Sequence, residues 1–320
     1  MVCKDCENKA VYVSLSGKNL CQKHFKKYFE TKVISTIKKH GLIEYGEKVL
    51  VACSGGKDST TLLSFLWKLM KNKRENLAAI AVDEGISGYR DLKLKGLVKF
   101  CEENNIPLYT YSFEENYGFT LDEAVKISRE NRLNIKPCYI CGVLRRNLIN
   151  VFARRLEFSK VATGHNLDDE SQTILMNYLR GNPALLARLG PKTGIISDEG
   201  FAQRVKPFYF CTEKEDTIYA ILNGIEVDFI ECPYHVENYR LEIRDFLNRL
   251  DSIVPGVKHG LVNNFLRLLP LLRREYASQR IGRCKICGNP SAGEVCRACM
   301  LRERIKPFLE EKGREHRDKQ

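Results

Sequence analysis

The run Val49-Leu50-Val51-Ala52-Cys53-Ser54-Gly55-Gly56-Lys57-Asp58-Ser59 ends an apolar strand pattern in two glycines and opens into the helical stretch Thr60 to Met70. Such a junction binds phosphate. Gly55 and Gly56 let the backbone approach an anion with no Cβ in the way, and the free amides of the helix start lie at the positive end of its dipole. Lys57 adds a mobile cation. A Walker A loop is excluded, because it would place four residues between its first glycine and a Gly-Lys-Ser/Thr end. Asp58 has alternative readings: a magnesium ligand or proton carrier, or a residue that caps the helix.

Cysteine supplies the second chemistry. Of thirteen cysteines, eight fall in four Cys-x-x-Cys pairs. Cys3, Cys6, Cys21 and His24 form two close pairs with fourteen residues between them, and Cys284, Cys287, Cys296 and Cys299 repeat the idea near the other end. Each pair makes a knuckle supplying two corners of a tetrahedron, so both sets are expected to hold structural zinc with no open position for catalysis. Cys138 and Cys141 stand apart. Pro137 suits a first helical turn, which puts Cys138, Cys141 and Arg145 on one helical face. A third thiolate would complete a metal site. Cys53 and Cys101 sit in apolar patterns and read as core, which leaves Cys211 and Cys232. Three such cysteines could hold zinc, form a catalytic disulfide, or carry three corners of an iron-sulfur cluster with one iron open.

The elements that must position these groups alternate. Strands are expected at Lys48 to Cys53, Leu77 to Val82, Pro107 to Phe113, Lys160 to Thr163 and Arg204 to Phe208. Helices are expected at Ser59 to Lys71, Asp91 to Asn104, Leu121 to Glu130, Cys138 to Leu156, Asp168 to Leu179 and Glu213 to Asn223. This pattern implies βαβ units and an α/β fold with a doubly wound parallel sheet. Ligands of such sheets sit beyond the carboxyl ends of the strands. The Ser54 to Ser59 loop, Asp83-Glu84-Gly85 and Gly164-His165-Asn166 all fall there. Asn166 and Asp169 also have the spacing of an N-cap and its third helical residue.

With 320 residues, 43% of them hydrophobic, the chain can bury one catalytic core with small appendages. Three parts are expected: a zinc finger over 1–30, a catalytic domain with a helical basic extension over 31–275, and a zinc ribbon with a basic tail over 276–320. The net charge of +12 favours a polyanionic partner. Arg240, Arg244 and Arg249, then Arg267, Arg273, Arg274, Arg280 and Arg283, suggest a surface for an RNA backbone. The amphipathic segment Phe25 to His40 is basic as well. No leader pattern precedes Cys3 and no apolar run approaches a membrane span, so a cytoplasmic protein without membrane contact is expected.

Ser-Gly-Gly-Lys-Asp-Ser at 54–59 resembles the PP-loop of ATP pyrophosphatases, which cleave ATP to AMP and pyrophosphate and leave an adenylated substrate. With two flanking zinc modules and the central Cys-x-x-Cys, nearly the whole chain resembles the PP-loop tRNA 2-thiouridine synthetases of the TtuA and NcsA groups. The segments Ala81 to Asp91, Cys141 to Arg146 and Met176 to Gly181 look most like the archaeal and eukaryotic cytoplasmic enzymes that thiolate the wobble uridine; those acting on the T-loop ribothymidine are the nearest neighbours. The resemblance implies a 4Fe-4S cluster on Cys138, Cys141 and Cys232, the last within Glu231-Cys232-Pro233-Tyr234. It implies catalytic roles for Lys57 and Asp58, and ATP bound with Mg2+ by Ala52, Ser54, Gly55, Gly56, Lys57, Asp58, Ser59, Val82, Arg145, Gly164 and Asp169. Its implied partners are tRNA, a sulfur donor (sulfide or a ubiquitin-like thiocarboxylate carrier) and a second copy of the chain.

Overall fold

The computed structural model describes residues 1–195, 198, 200–226, 230–235, 239–277 and 281–317, with side chains described to residue 309. The first cysteine module carries a two-stranded ribbon, β1 (Tyr12–Val13) and β2 (Asn19–Leu20), and runs into α1 (Gln22–Lys39). The central core follows as β3 (Val49–Ala52), α2 (Lys57–Leu69), β4 (Leu77–Asp83), α3 (Arg90–Asn104) and β5 (Leu108–Ser112). Next come α4 (Phe113–Tyr117), α5 (Leu121–Glu130), α6 (Pro137–Arg155), β6 (Lys160–Thr163), α7 (Leu167–Leu179), α8 (Pro183–Leu186), β7 (Gln203–Val205) and α9 (Glu213–Leu222). The chain closes with α10 (Arg240–Ile253), α11 (Val257–Glu275), the ribbon β8 (Gly282–Arg283) with β9 (Pro290–Ser291), and α12 (Arg297–Arg317).

Five strands form one parallel sheet in the order β5-β4-β3-β6-β7. This is the doubly wound sheet expected from the strand and helix pattern. The chain winds outward from β3 to β5, then returns to add β6 on the other side of β3. Strand order therefore reverses between β3 and β6, and a crevice opens there at the carboxyl ends. Alternation along the strands fills both faces: Val49, Val51 and Ala79 pack on one side, Leu50, Ala78 and Ile80 on the other. Strands buried on both faces read as the continuous apolar runs that marked them.

Each cysteine module is packed onto a different face. Tyr12, Leu20, Phe25 and Phe29 join the first face, where Phe29 stacks on Tyr219 with ring centroids 4.3 Å apart. Glu215 of α9 ties this module down by accepting hydrogen bonds from Tyr12 and Tyr28, both at 2.9 Å, and pairing with Lys32 at 2.7 Å. Cys284, Cys296, Cys299 and Ile305 join the second face, against α5 and α6. A smaller apolar cluster of Ile174, Leu186, Val262 and Phe265 unites α7, α8 and α11.

Two differences from the expected elements have local causes. The last strand stops at Val205, short of Phe208, because Pro207 cannot donate to a ladder and the Lys206 amide turns to the Pro191 carbonyl at 2.9 Å. The short helix α4 follows β5 directly, started by the Ser112 hydroxyl accepting from the Glu115 amide at 3.1 Å.

Candidate functional site

The loop after β3 is laced by its own serines. Ser59 Oγ donates to the Gly56 carbonyl at 3.0 Å and accepts from the Ser54 amide at 3.1 Å. Gly55 holds φ +78°, and a Cβ there would lie 2.3 Å from the Lys93 carbonyl oxygen. Only glycine fits that approach. Gly56 is the N-cap of α2 and no side chain caps the helix, so the amides of its first turn remain available to a ligand. Asp58 does not cap; its carboxylate pairs with Lys57 Nζ at 2.5 Å, and Glu213 lies 3.5 Å from the same cation. Beneath them the carboxyl of Asp216 is fully buried, and burial followed by the close approach of the Asp58 carboxyl pushes it well above the carboxylate range.

A cleft of about 540 Å³ opens above this loop. Ser54, Gly56, Lys57, Asp58, Arg145 and Asp169 line it, and so do Cys138, Cys141 and Cys232. Nucleotide-loop and cysteine chemistries thus share one cavity. Ala52, Gly55, Ser59, Val82 and Gly164 lie outside its lining, as the strand ends and turns that support it. Gly164 touches the loop directly, while Val82 is buried.

Glu84 holds two arginines at the rim. Only 3% exposed, it pairs with Arg90 at 2.9 Å and Arg145 at 3.1 Å, and Arg90 also donates to the Ser54 carbonyl at 2.5 Å. Across the cleft, Asn166 Oδ1 accepts from the amides of Asp168 and Asp169 at 3.0 and 3.1 Å, and Asp169 Oδ2 accepts from the Asn166 amide at 3.3 Å. That is a capping box, and it leaves Asp169 Oδ1 facing Arg240 at 3.8 Å. Desolvation in the cleft pushes the Asp169 carboxyl up to about 7, against the pull of Arg240.

Cys138 and Cys141 project from the first turns of α6, and Cys232 arrives from a loop between α9 and α10. Tyr234 anchors that loop by donating to Asp122 at 2.6 Å, and the His235 ring spans the Cys232 carbonyl at 2.7 Å and Glu231 at 2.7 Å. Cys138 Sγ lies 3.7 Å from the Tyr234 carbonyl. Desolvation pushes the Cys141 thiol up to about 11, with Arg145 pulling the other way. Cys211, the rival third ligand, is fully buried in the apolar core with Cys53 and Cys101.

Donor geometry separates the other cysteines. Among the described residues, Cys3, Cys6, Cys21 and His24, and likewise Cys284, Cys287, Cys296 and Cys299, keep their ligand atoms within 4.8 Å of one another. Contacts such as Cys6 to Cys21 at 3.6 Å and Cys287 to Cys296 at 3.7 Å match the edge of about 3.8 Å that a tetrahedron with zinc-sulfur arms of about 2.3 Å requires. The three cleft cysteines do not converge on one such point. A cluster that gives each thiolate its own iron does not require so tight a tetrahedron, and three cysteines around one cavity are compatible with it.

Residues 25–234 match the PP-loop domain family. The tRNA-5-methyluridine(54) 2-sulfurtransferase of Pyrococcus horikoshii is 37% identical, over 93% of this chain and 93% of its own. The cytoplasmic tRNA 2-thiolation protein 1 of Saccharomyces cerevisiae is 34% identical, over 90% and 81%. A solved structure, the U34-tRNA thiolase NcsA of Methanococcus maripaludis with its [4Fe-4S] cluster, superposes with a TM-score of 0.80 at 33% identity, covering 95% of this chain and 96% of that one. The chain belongs to the PP-loop tRNA 2-thiolation family. For a member of this family, Arg90, Arg240 and Arg244 are among the cleft residues that the sequence reading did not assign to the site, while Glu84 belongs to a strand-end segment that was expected there. Arg90 stood in the segment Ala81 to Asp91 that carries the family resemblance; Arg240 and Arg244 stood only as basic residues.

Two arginines of the expected RNA surface are placed differently. Arg240 and Arg244 turn into the cleft, where Arg240 donates to Thr173 at 3.0 Å and Arg244 approaches Glu231 at 3.5 Å. Arg273 is occupied by the backbone, donating to the carbonyls of Leu189 and Lys192 at 2.9 Å and of Ala187 at 3.3 Å. Arg249, Arg267 and Arg274 are exposed, Arg283 pairs with Asp198 at 2.9 Å, and Arg280 lies outside the described residues.

Proposed function

We propose that the chain is a cytoplasmic, ATP-dependent tRNA sulfurtransferase that adenylates the C2 oxygen of the wobble uridine and replaces that oxygen with sulfur, giving 2-thiouridine. One observation carries the reading: the Ser54 to Ser59 loop and Cys138, Cys141 and Cys232 line the same cleft. An activation site and a sulfur site must share a cavity if one uracil carbon is to meet both.

The C2 oxygen of uracil is a poor leaving group. Its attack on the α-phosphorus of ATP expels pyrophosphate and creates a bond from C2 through oxygen to AMP; sulfur then adds at C2 and AMP departs with the oxygen. The amides at Gly55, Gly56 and the first turn of α2, the hydroxyls of Ser54 and Ser59, and Lys57 would hold the pyrophosphate as charge builds on it. Asp58 would hold Mg2+ on the phosphates or carry a proton. Arg145, held by Glu84, would meet the nucleotide, and Asp169 would border it from α7.

Cys138, Cys141 and Cys232 would hold a 4Fe-4S cluster. Bound there, it would supply an open iron that presents sulfur to the activated carbon. The two closed cysteine sets would hold one zinc ion each and stabilise the parts at 1–30 and 276–320 around the central domain at 31–275. The sulfur donor would be sulfide or a ubiquitin-like thiocarboxylate carrier, and the working unit a homodimer.

A second reading, the same chemistry on the T-loop ribothymidine, is favoured by the likeness to the Pyrococcus horikoshii enzyme. Mass spectrometry of tRNA nucleosides from a deletion strain distinguishes them. Loss of 2-thiouridine derivatives at the wobble position supports the first reading, loss of 5-methyl-2-thiouridine from the T loop supports the second, and loss of neither overturns both.

A further inference from the structure

A second cleft, of about 440 Å³, opens beside the far half of α6, between that helix, α4 and the C-terminal cysteine module. The helix therefore serves two cavities. Its first turns carry Cys138, Cys141 and Arg145 into the main cleft, while Asn147, Arg154 and Arg155 line the second. Arg302 of α12 and Asn289 of the cysteine module close the other side.

Its chemistry is that of an anion site. Three guanidiniums face it and no carboxylate lies among its described lining residues. Cys287 and Cys299 form part of the wall beside Arg302, and among the described residues Arg154 and Arg155 meet no carboxylate at ion-pair distance, so they carry the attraction for an anion. Arg302 pairs through a terminal nitrogen with Glu303 at 3.4 Å, while its Nε is buried without an acceptor and remains a donor for an incoming oxygen. The Tyr117 hydroxyl lies 2.9 Å from Asn147 Oδ1 and 3.0 Å from the Leu144 carbonyl, which fixes the Asn147 amide at the cleft wall. Arg155 lies 5.3 Å from the Phe152 ring centroid, which holds its guanidinium in place.

We infer that this cleft is a second nucleotide subsite, taking an unpaired nucleotide of the RNA substrate by its phosphate and base edge. The inference rests on the tRNA sulfurtransferase reading. Arginine forks suit phosphate oxygens, and amides suit the exposed edges of unstacked bases. No glycine loop cradles a polyphosphate here, unlike the main cleft, so a backbone-positioning contact fits better than a free nucleoside triphosphate. Cys141 and Val151 are ten residues apart on α6, about 15 Å along the helix axis.

The test uses the full-length, metal-loaded protein, an in vitro transcribed tRNA and a KCl series. An Arg154→Ala/Arg302→Ala double variant is expected to bind the tRNA more weakly, with the log-log salt slope shallower by about 1.4 for two lost single-strand contacts. Zinc content and ATP affinity stay at wild-type values. Asn147→Asp, which brings a negative charge into the cleft without touching a cysteine, should weaken tRNA binding in the same direction and keeps the test open if the double variant loses zinc. Unchanged affinity and slope in both variants overturn the subsite and leave the arginines as partners of the thiolates. AMP binding that the double variant abolishes while tRNA affinity stays unchanged makes this a free-nucleotide site, which also overturns the RNA assignment. Failure of the sulfurtransferase reading is visible separately, as wild-type protein that supports no tRNA thiolation.

Discussion

Gly164 rests on the backbone of Asp58: a Cβ at residue 164 would lie 2.8 Å from the Asp58 carbonyl carbon and oxygen and 2.9 Å from the Ser59 nitrogen. The end of β6 is thereby pressed against the first turn of α2, at the point where the sheet reverses its strand order. Neither side can yield by turning a side chain.

Gly164→Ala should therefore displace the loop that faces the nucleotide. Forced overpacking of this kind costs about 1–3 kcal/mol. Pyrophosphate release is expected to fall by about tenfold or more, with zinc content unchanged, since even about 1.4 kcal/mol at the transition state is tenfold in rate. A wild-type rate would show that the loop tolerates the methyl group.

Glu84 predicts a contrast between two substitutions. Glu84→Ala leaves Arg90 buried without its carboxylate and should cost about 3 kcal/mol or more in urea unfolding. Arg145→Ala leaves the Glu84 and Arg90 pair whole, and Arg145 is 43% exposed. Its stability loss should be much smaller, with ATP turnover lost instead. Equal stability losses would overturn the bridging role of Glu84.

Asp169 makes stability depend on pH. Its carboxyl rises from the ordinary 3.8 to about 7 on folding, so the folded state holds the proton more tightly. The associated stability is full below about pH 3.8 and is lost as pH rises through about 7. Asp169→Asn keeps an oxygen for the Asn166 amide and never ionises, so its melting temperature should gain on wild type as pH rises from about 4 to about 7. The gain is modest because 35% of the side chain remains exposed to screening water. A pH-independent difference would show that Asp169 ionises normally.

Iron should distinguish Cys232 from Cys211. After anaerobic reconstitution, wild type and Cys211→Ala are expected to retain about four iron atoms per chain, whereas Cys138→Ala, Cys141→Ala and Cys232→Ala lose the cluster and thiolation. Cys211→Ala leaves only a small core void, for about 1 kcal/mol of stability. Full activity of Cys232→Ala, or iron lost from Cys211→Ala, would reverse the assignment.

The basic extension separates into structural and solvent-facing arginines. Arg273→Glu strips a donor from three carbonyls and should lower the melting temperature, so it is no clean probe of RNA contact. Arg267→Ala and Arg274→Ala remove exposed cations. Each should make the log-log salt slope of tRNA binding shallower by about 0.7–0.9 without changing stability. Unchanged slopes would leave this stretch a solvated face.

Local chemistry was legible before any fold was known. Two glycines before Lys57 mark a phosphate loop because the backbone constraint is local. Cysteines three residues apart mark metal knuckles because the ligand geometry closes within a turn. Apolar runs between helices mark a parallel sheet because both of its faces are buried. Convergence was another matter. Residue type left Cys211 and Cys232 both open beside Cys138 and Cys141, and packing puts Cys232 on their cleft and Cys211 in the core; Glu84 finds Arg90 and Arg145, and Arg240 leaves an expected RNA surface for the cleft.

Nothing in residue type separates Arg273, held by three carbonyls, from Arg274 beside it in the open. The sequence by itself determined which groups could do chemistry, since spacing and conformational freedom act over a few residues. Only the tertiary structure decided which of them act together: strand order and helix packing join residues far apart in the chain, and a charge takes its role from the partners that packing brings to it.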